Sequence, residues 1–318
     1  MGVLVKTFIK FAKHMMLLNV NNEFGKLKTV VLGVAKDFGG TPKEIECYDP
    51  KSRENVLNGT FPSEENLCEE LKQFFEVLIK HNVQVLRPKI IKKFNQIFIR
   101  DIAFVIDNKI IVSNIINDRK QEVNGIDYIL DNINSGDILK LNTNSQIEGG
   151  DVVLHNNFIF IGYSKEADYN KYKVARTNQQ AVNDITTFFP DKDIISFELN
   201  KSDMDARENA LHLDCCFQPI GKNMAIIYEG GFKNIDDIIF LNDIFGNNNL
   251  IKINKQEMYD MNSNIFSISD NVIVSAKSFS RLNSIFRMKG FVVEEIDYSE
   301  TAKMEGLLRC STMPLIRS

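Results

Sequence analysis

A short apolar hairpin with its own turn signal recurs four times along this chain. That recurrence limits the available folds more than any other feature. Residues 103–106 are apolar, Asp107 and Asn108 form a turn signal, and residues 110–112 are apolar again. The pattern returns at 152–154, Asn156-Asn157 and 158–161, then at 216–220, Gly221-Lys222-Asn223 and 224–228, then at 265–268, Asp270-Asn271 and 272–274. Asn, Asp and Gly tolerate the positive φ that tight hairpin turns require. Near-continuous Phe, Ile and Val suit strands covered on both faces. Helical patterns separate the hairpins. Ser63 has the side chain of an N-cap, and Leu67, Leu71, Phe74, Phe75, Leu78 and Ile79 fall on one helical face behind it. Shorter helical stretches are expected near 119–131, 175–188, 232–243 and 278–288, and single strands at 28–34, 83–86, 193–198 and 291–296. The unit is strand, strand, helix, strand. Such units cannot bury their faces alone, so their repetition predicts a closed radial α/β arrangement. No Pro- or Gly-rich linker divides the chain, which predicts a single domain over 19–318.

Composition excludes several classes of partner. Of the 318 residues, 44% are hydrophobic and 25% charged, a globular balance that rules out disorder for most of the chain. The net charge of −4 leaves no electrostatic footprint for nucleic acid or an anionic membrane surface. No uncharged apolar run is long enough to span a bilayer. The opening stretch is apolar with Lys6, Lys10 and Lys13, lacks a small-residue cleavage site, and runs into Asn19, Asn21, Asn22 and Glu23. Residues 1–18 are therefore expected to be a leader outside the fold, with Met15 or Met16 as an alternative start. Cys47, Cys68, Cys215, Cys216 and Cys310 are odd in number and form no C-x-x-C spacing, which predicts reduced thiols in a cytoplasmic protein. Any histidine chemistry must use His14, His81, His155 or His212.

Four segments carry residues capable of chemistry. Cys310 follows Arg309, and a cation near the thiol would lower its pKa; a buried structural cysteine is the alternative. His212 and Asp214 alternate with apolar neighbours before the third hairpin, so on a strand they would share one face. Glu148-Gly149-Gly150-Asp151 opens the second hairpin and reads as a tight backbone approach with a charged contact. Asn95 and Arg100-Asp101 open the first hairpin, where an ordinary surface ion pair is the simpler reading. Taken together the segments say more. If the hairpins are equivalent blades, Asp101, Glu148 and Asp214 converge on one end of the axis, with His212 and Cys310. Several carboxylates in one pocket call for a cation, and a planar guanidinium with five donors matches them best. A thiolate beside it would be placed to attack the central carbon.

These residues resemble the guanidino-group-modifying enzymes of the pentein fold: arginine deiminases, dimethylarginine dimethylaminohydrolases and amidinotransferases. The likeness rests on Asn95 with Arg100-Asp101, Ile-Glu-Gly-Gly-Asp at 147–151, Arg176-Thr177-Asn178, Leu-His-Leu-Asp at 211–214 and Arg-Cys-Ser-Thr-Met-Pro-Leu at 309–315, in order across about residues 19–318. It implies a five-bladed α/β propeller of ββαβ modules with the active site at its centre. It implies Cys310 as nucleophile, His212 as general acid and then base, and Glu148 as the carboxylate that holds the guanidinium and supports His212. Asp101, Asp214 and Asp151 become further substrate-binding carboxylates, and Asn95 a position near the substrate's α-carboxylate end. Arg100, Arg176 and Arg309 become candidates for pairing with that carboxylate. The resemblance implies no cofactor and no metal, a small guanidino substrate as partner, and a homodimer by analogy. Glu148 and the Arg-Cys-x-x-x-Pro ending favour a hydrolase of arginine or a close derivative, giving a citrulline-type product and ammonia or an alkylamine. The phrases at 100–102 and 211–217 are also close to amidinotransferases, which stay as the alternative. A non-catalytic binding propeller is the third reading.

Overall fold

Asp107, Asn156 and Gly221 adopt φ of 50°, 55° and 53°, and each closes a hairpin where the turn signals stand. The left-handed region is open to these residue types, so the turns form locally and fix the pairing of the flanking strands. A computed structural model describes residues 15–318. Most of the expected leader, with His14, lies outside the described residues. Of its remaining part, the Met16 N–H donates to Asn132 O at 2.7 Å and Leu18 is buried.

Fifteen strands are described: β1 (Leu27–Leu32), β2 (Gln84–Leu86), β3 (Ala103–Ile106), β4 (Lys109–Val112), β5 (Ile138–Lys140), β6 (Val152–His155), β7 (Phe158–Tyr163), β8 (Asp193–Glu198), β9 (Phe217–Ile220), β10 (Met224–Ile227), β11 (Leu250–Lys252), β12 (Phe266–Ser269), β13 (Val272–Ala276), β14 (Val292–Ile296) and β15 (Thr312–Arg317). They form five three-stranded sheets. In four of them a hairpin is extended by a third strand running parallel to its second: β3-β4-β5, β6-β7-β8, β9-β10-β11 and β12-β13-β14. The fifth has the same pattern from distant pieces. β15 pairs antiparallel with β1, and β1 pairs parallel with β2, so the two ends of the domain complete one blade and close the ring. This is a five-module pentein propeller.

Burial gives each strand its place. The first strands of the modules, β3, β6, β9, β12 and β15, are almost wholly buried. The third strands are partly exposed and face outward. Helices Glu64–Lys80, Gln179–Phe188, Ile235–Phe245 and Ser280–Met288 carry the chain back to the third strands. Ser63 caps the first of these, its Oγ accepting the Asn66 N–H at 3.2 Å. Phe74 on that helix packs edge-on against Phe266 and Tyr298, with centroids 5.7 and 5.8 Å away. The expected helix at 119–131 is instead a 3-10 run, Asn117–Ile126, followed by one α turn, Asp127–Leu130. Asn117, Asn124 and Gly125 are poor helix formers, and a Cβ on Gly125 would lie 2.4 Å from Gln96 Nε2. No helix among the described residues is long and apolar enough to cross a membrane.

Candidate active site

The five first strands begin next to the residues that matter. Asp101 precedes β3 by two positions, Asp151 adjoins β6, Asp214 lies three before β9, Asn264 two before β12 and Cys310 two before β15. Pseudo-symmetry thus brings five short segments to one end of the axis.

Two of these segments are turns rather than strands. Gly149–Asp151 and Leu213–Cys215 are 3-10 turns. His212 and Asp214 therefore do not share a strand face, because the turn rotates them apart. His212 Nε2 lies 3.0 Å from Glu148 Oε2, whereas Asp214 Oδ2 takes Arg309 Nη1 at 2.8 Å. The glycine pair is needed for contact. A Cβ on Gly149 would lie 2.2 Å from Arg100 O, and one on Gly150 2.5 Å from His212 Nδ1.

One half of the site is an acid-histidine-guanidinium cluster. His212 Nδ1 lies 3.8 Å from Asp101 Oδ1. Arg176 Nη1 donates to both Glu148 oxygens at 3.2 Å. Arg119 Nη1 donates to Asp101 Oδ2 at 2.8 Å and lies 3.6 Å from Glu148 Oε2, while its other nitrogens hold Glu122. All are buried. Burial alone would lower the His212 pKa, but Asp101 and the Glu148 hydrogen bond hold it up at about 9. Burial alone would raise Glu148, but Arg176 and His212 keep its carboxyl well below the usual range. Burial pushes Glu122 up to about 7 against the pull of Arg119.

The other half surrounds the thiol. Cys310 Sγ accepts from Asn264 Nδ2 at 3.1 Å and lies 3.6 Å from Asp214 Oδ2, and the Cys310 N–H donates to Asn264 Oδ1 at 3.1 Å. Burial, then Asp214 and Asp101, push the thiol well above its ordinary value, so it rests protonated. A cation seated against those carboxylates would offset their part of the shift.

The expected carboxylate-binding arginines separate here. Arg176 is in the cluster, with Nη2 donating to Tyr48 O at 2.6 Å and Nε to Lys173 O at 3.0 Å. Arg309 is committed internally. Its Nε and Nη2 bind Glu23, its Nη1 binds Asp214, and Nη2 also reaches Val152 O at 2.6 Å, so it is a strut rather than a substrate donor. Arg100 points elsewhere; its strongest charge neighbours are Arg309, Glu23, Arg317 and Asp214. Asp151 spends its oxygens on the Leu213 N–H and the Thr177 hydroxyl, so it braces the turn carrying His212. Asn95 is half-buried and lines a cavity of about 170 Å³ with Tyr48, Glu122 and Phe38. Arg119, Glu122, Asn264 and Glu23 were missed by sequence reasoning. Asn264 had a signal, since it stands before the fourth hairpin as Asp101 does before the first.

Asp101, Glu148 and His212 place one ligand atom each within 4.8 Å of one another, a spacing that a metal ion accepts. The state of His212 opposes it, because Asp101 and Glu148 hold its proton on up to about pH 9 and a metal needs the imidazole unprotonated.

The histidine pairing predicts a pH-dependent stability. The folded-state pKa of about 9 exceeds the ordinary 6.5, so the pair contributes fully below 6.5 and its contribution is lost as pH rises through about 9. Urea midpoints across that window should fall for the wild-type chain relative to His212→Gln. Parallel curves would show that no such pair forms.

The chain is similar to several known proteins. A family model described as "N,N dimethylarginine dimethylhydrolase, eukaryotic" matches residues 57–317. The uncharacterized protein YkgA of Bacillus subtilis (strain 168) is 31% identical over 244 residues, covering 76% of this chain and 77% of that protein. The N-terminal domain of ArgZ, an arginine dihydrolase of cyanobacteria, superposes with a TM-score of 0.75 at 17% identity over 91% of this chain and 98% of that one. SxtG, an amidinotransferase of Microseira wollei, gives a TM-score of 0.72 at 15% identity over 94% of this chain and 97% of that one. These last two likenesses show the fold, which hydrolases and a transferase share. The family match runs from ahead of the long first helix to the ring-closing strand, so the chain belongs to the N,N-dimethylarginine dimethylhydrolase family of guanidino-modifying pentein proteins.

Proposed function

We propose that the protein is a guanidino-group hydrolase acting on arginine or a close derivative. The observation that carries this is one buried site holding a thiol, a histidine and three carboxylates: Cys310, His212, Asp101, Glu148 and Asp214. Asp101, Glu148 and Asp214 hold the substrate guanidinium, whose charge favours the Cys310 thiolate, the thiol's proton passing to solvent as substrate binds. The sulfur attacks the guanidinium carbon and forms a C–S bond. The scissile C–N bond then breaks, and the leaving nitrogen takes the proton held by His212. His212, now neutral, accepts a proton from water. The resulting hydroxide adds to the same carbon, the C–S bond breaks, and the thiolate is restored. The products are a ureido compound of citrulline type and ammonia or an alkylamine. Every step uses this chain's own groups and water.

Separate incubations with arginine, Nω-methylated arginines and agmatine test the reading, with citrulline-type product and free amine both quantified. Turnover to the ureido product without any acceptor is expected. Ornithine released only when an amine such as glycine is present would instead assign an amidinotransferase, the alternative kept open by the motif phrases at 100–102 and 211–217.

A further inference from the structure

A second charged cluster shares Asp214 with the site above. Arg100, Arg309 and Arg317 are buried together with Glu23 and Asp214, so three guanidiniums face two carboxylates. Arg309 takes both carboxylates, Glu23 at 2.8 Å and Asp214 at 2.8 Å. Arg317 donates Nη1 to Gly25 O at 2.7 Å and Nη2 to Ser267 O at 2.9 Å, leaving Nε without a partner among the described residues. Ser267 leaves its hydroxyl unpartnered there too. Arg100 is the most exceptional. It is 4% exposed, and its Nε and Nη2 are sealed from solvent with no hydrogen-bond partner among the described residues.

A buried cation without a counter-charge is costly, and buried donors without acceptors add to the cost. Burial first, and the neighbouring Arg309 with it, pull Arg100 down to about 9 and Arg317 to about 10. Glu23 is held at about 2: burial alone would raise it, but Arg309, Arg100 and Arg317 outweigh that, so it cannot accept a proton to change the balance. What the cluster lacks is one negative charge with acceptor capacity. The neighbouring first strands β9, β12 and β15 are buried along most of their length, so the group must be small.

We propose that the Arg100–Arg317 side of this cluster binds one small monovalent inorganic anion of chloride size. Arg100 Nε and Nη2, Arg317 Nε and the Ser267 hydroxyl are its donors. The anion neutralises the surplus guanidinium and satisfies the orphaned donors in one step. This inference does not rest on the proposed reaction.

Thermal unfolding of the full chain in chloride, compared with gluconate at matched ionic strength, tests it. Chloride should raise the midpoint saturably by about 2–4 °C, while gluconate, too large to enter, should not. Arg100→Met removes the surplus charge, so it should melt higher than the wild type in gluconate and lose the chloride increment. Should that variant fail to fold, bromide-soaked crystals of the wild type provide an independent readout. An anomalous peak beside Arg100 Nε and Nη2 is expected. Equal responses to chloride and gluconate, or bromide density absent from that position, would overturn the proposal.

Discussion

Cys310→Ala should lower turnover of a guanidino substrate by at least about a thousandfold, the scale on which loss of a covalent nucleophile is felt. Its thermal midpoint should stay within a few degrees of the wild type, because only one small buried atom is removed. The pairing of large kinetic and small structural effects is what separates a nucleophile from a core thiol. The same protein should no longer take up a haloacetamidine-type label. Near-normal turnover in the variant would place the chemistry elsewhere and return the chain to the reading of a binding propeller. A bell-shaped pH profile should accompany wild-type turnover, rising as the thiolate forms and falling as His212 loses its proton.

Arg309→Met should produce the reverse balance, with a large structural effect first. Arg309 is the cation shared by Glu23 and Asp214, and all three are buried. Removing it takes from Glu23 and Asp214 the guanidinium hydrogen-bonded to both, and breaking such a buried pairing costs about 3–5 kcal/mol. Adding Glu23→Gln should recover part of that loss, since one orphaned charge disappears. Activity should fall as well, because Asp214 would be freed to move against Cys310 Sγ, now 3.6 Å away. An unchanged denaturation midpoint in Arg309→Met would show that the network does not brace the ring.

The fold was legible where turns carried local chemistry. Asp107, Asn156 and Gly221 announce their hairpins because few residue types sit comfortably at positive φ. The third strands β5 and β11 span three residues each, too few to show any periodicity. The fifth blade has no local signature, since β15 and β1 come from opposite ends of the domain. In the site, Glu148, Arg176, His212, Asp214 and Cys310 were visible as short phrases, but Arg119 and Asn264 were not. Arg119 beside Lys120 reads as surface charge, and only folding reveals it buried against Asp101. Arg309 misleads in the opposite way, because adjacency to Cys310 in sequence suggested a cation for the thiol. Its guanidinium does lower the thiol pKa, but burial, Asp214 and Asp101 outweigh it, and its hydrogen bonds go to Glu23 and Asp214.

Ring closure also bears on timing. A chain emerges from the ribosome N-terminus first, so β1 is made long before its antiparallel partner β15 exists. Once Ile296 has been made the growing chain holds four hairpin blades and an open edge. The thiol is added only two residues ahead of the closing strand. The reactive sulfur therefore meets Asn264 and Asp214 in the same event that seals the propeller, and no partially made chain can present it in working order. Joining residues so far apart in sequence is intrinsically slow, which makes closure the natural rate-limiting step of maturation.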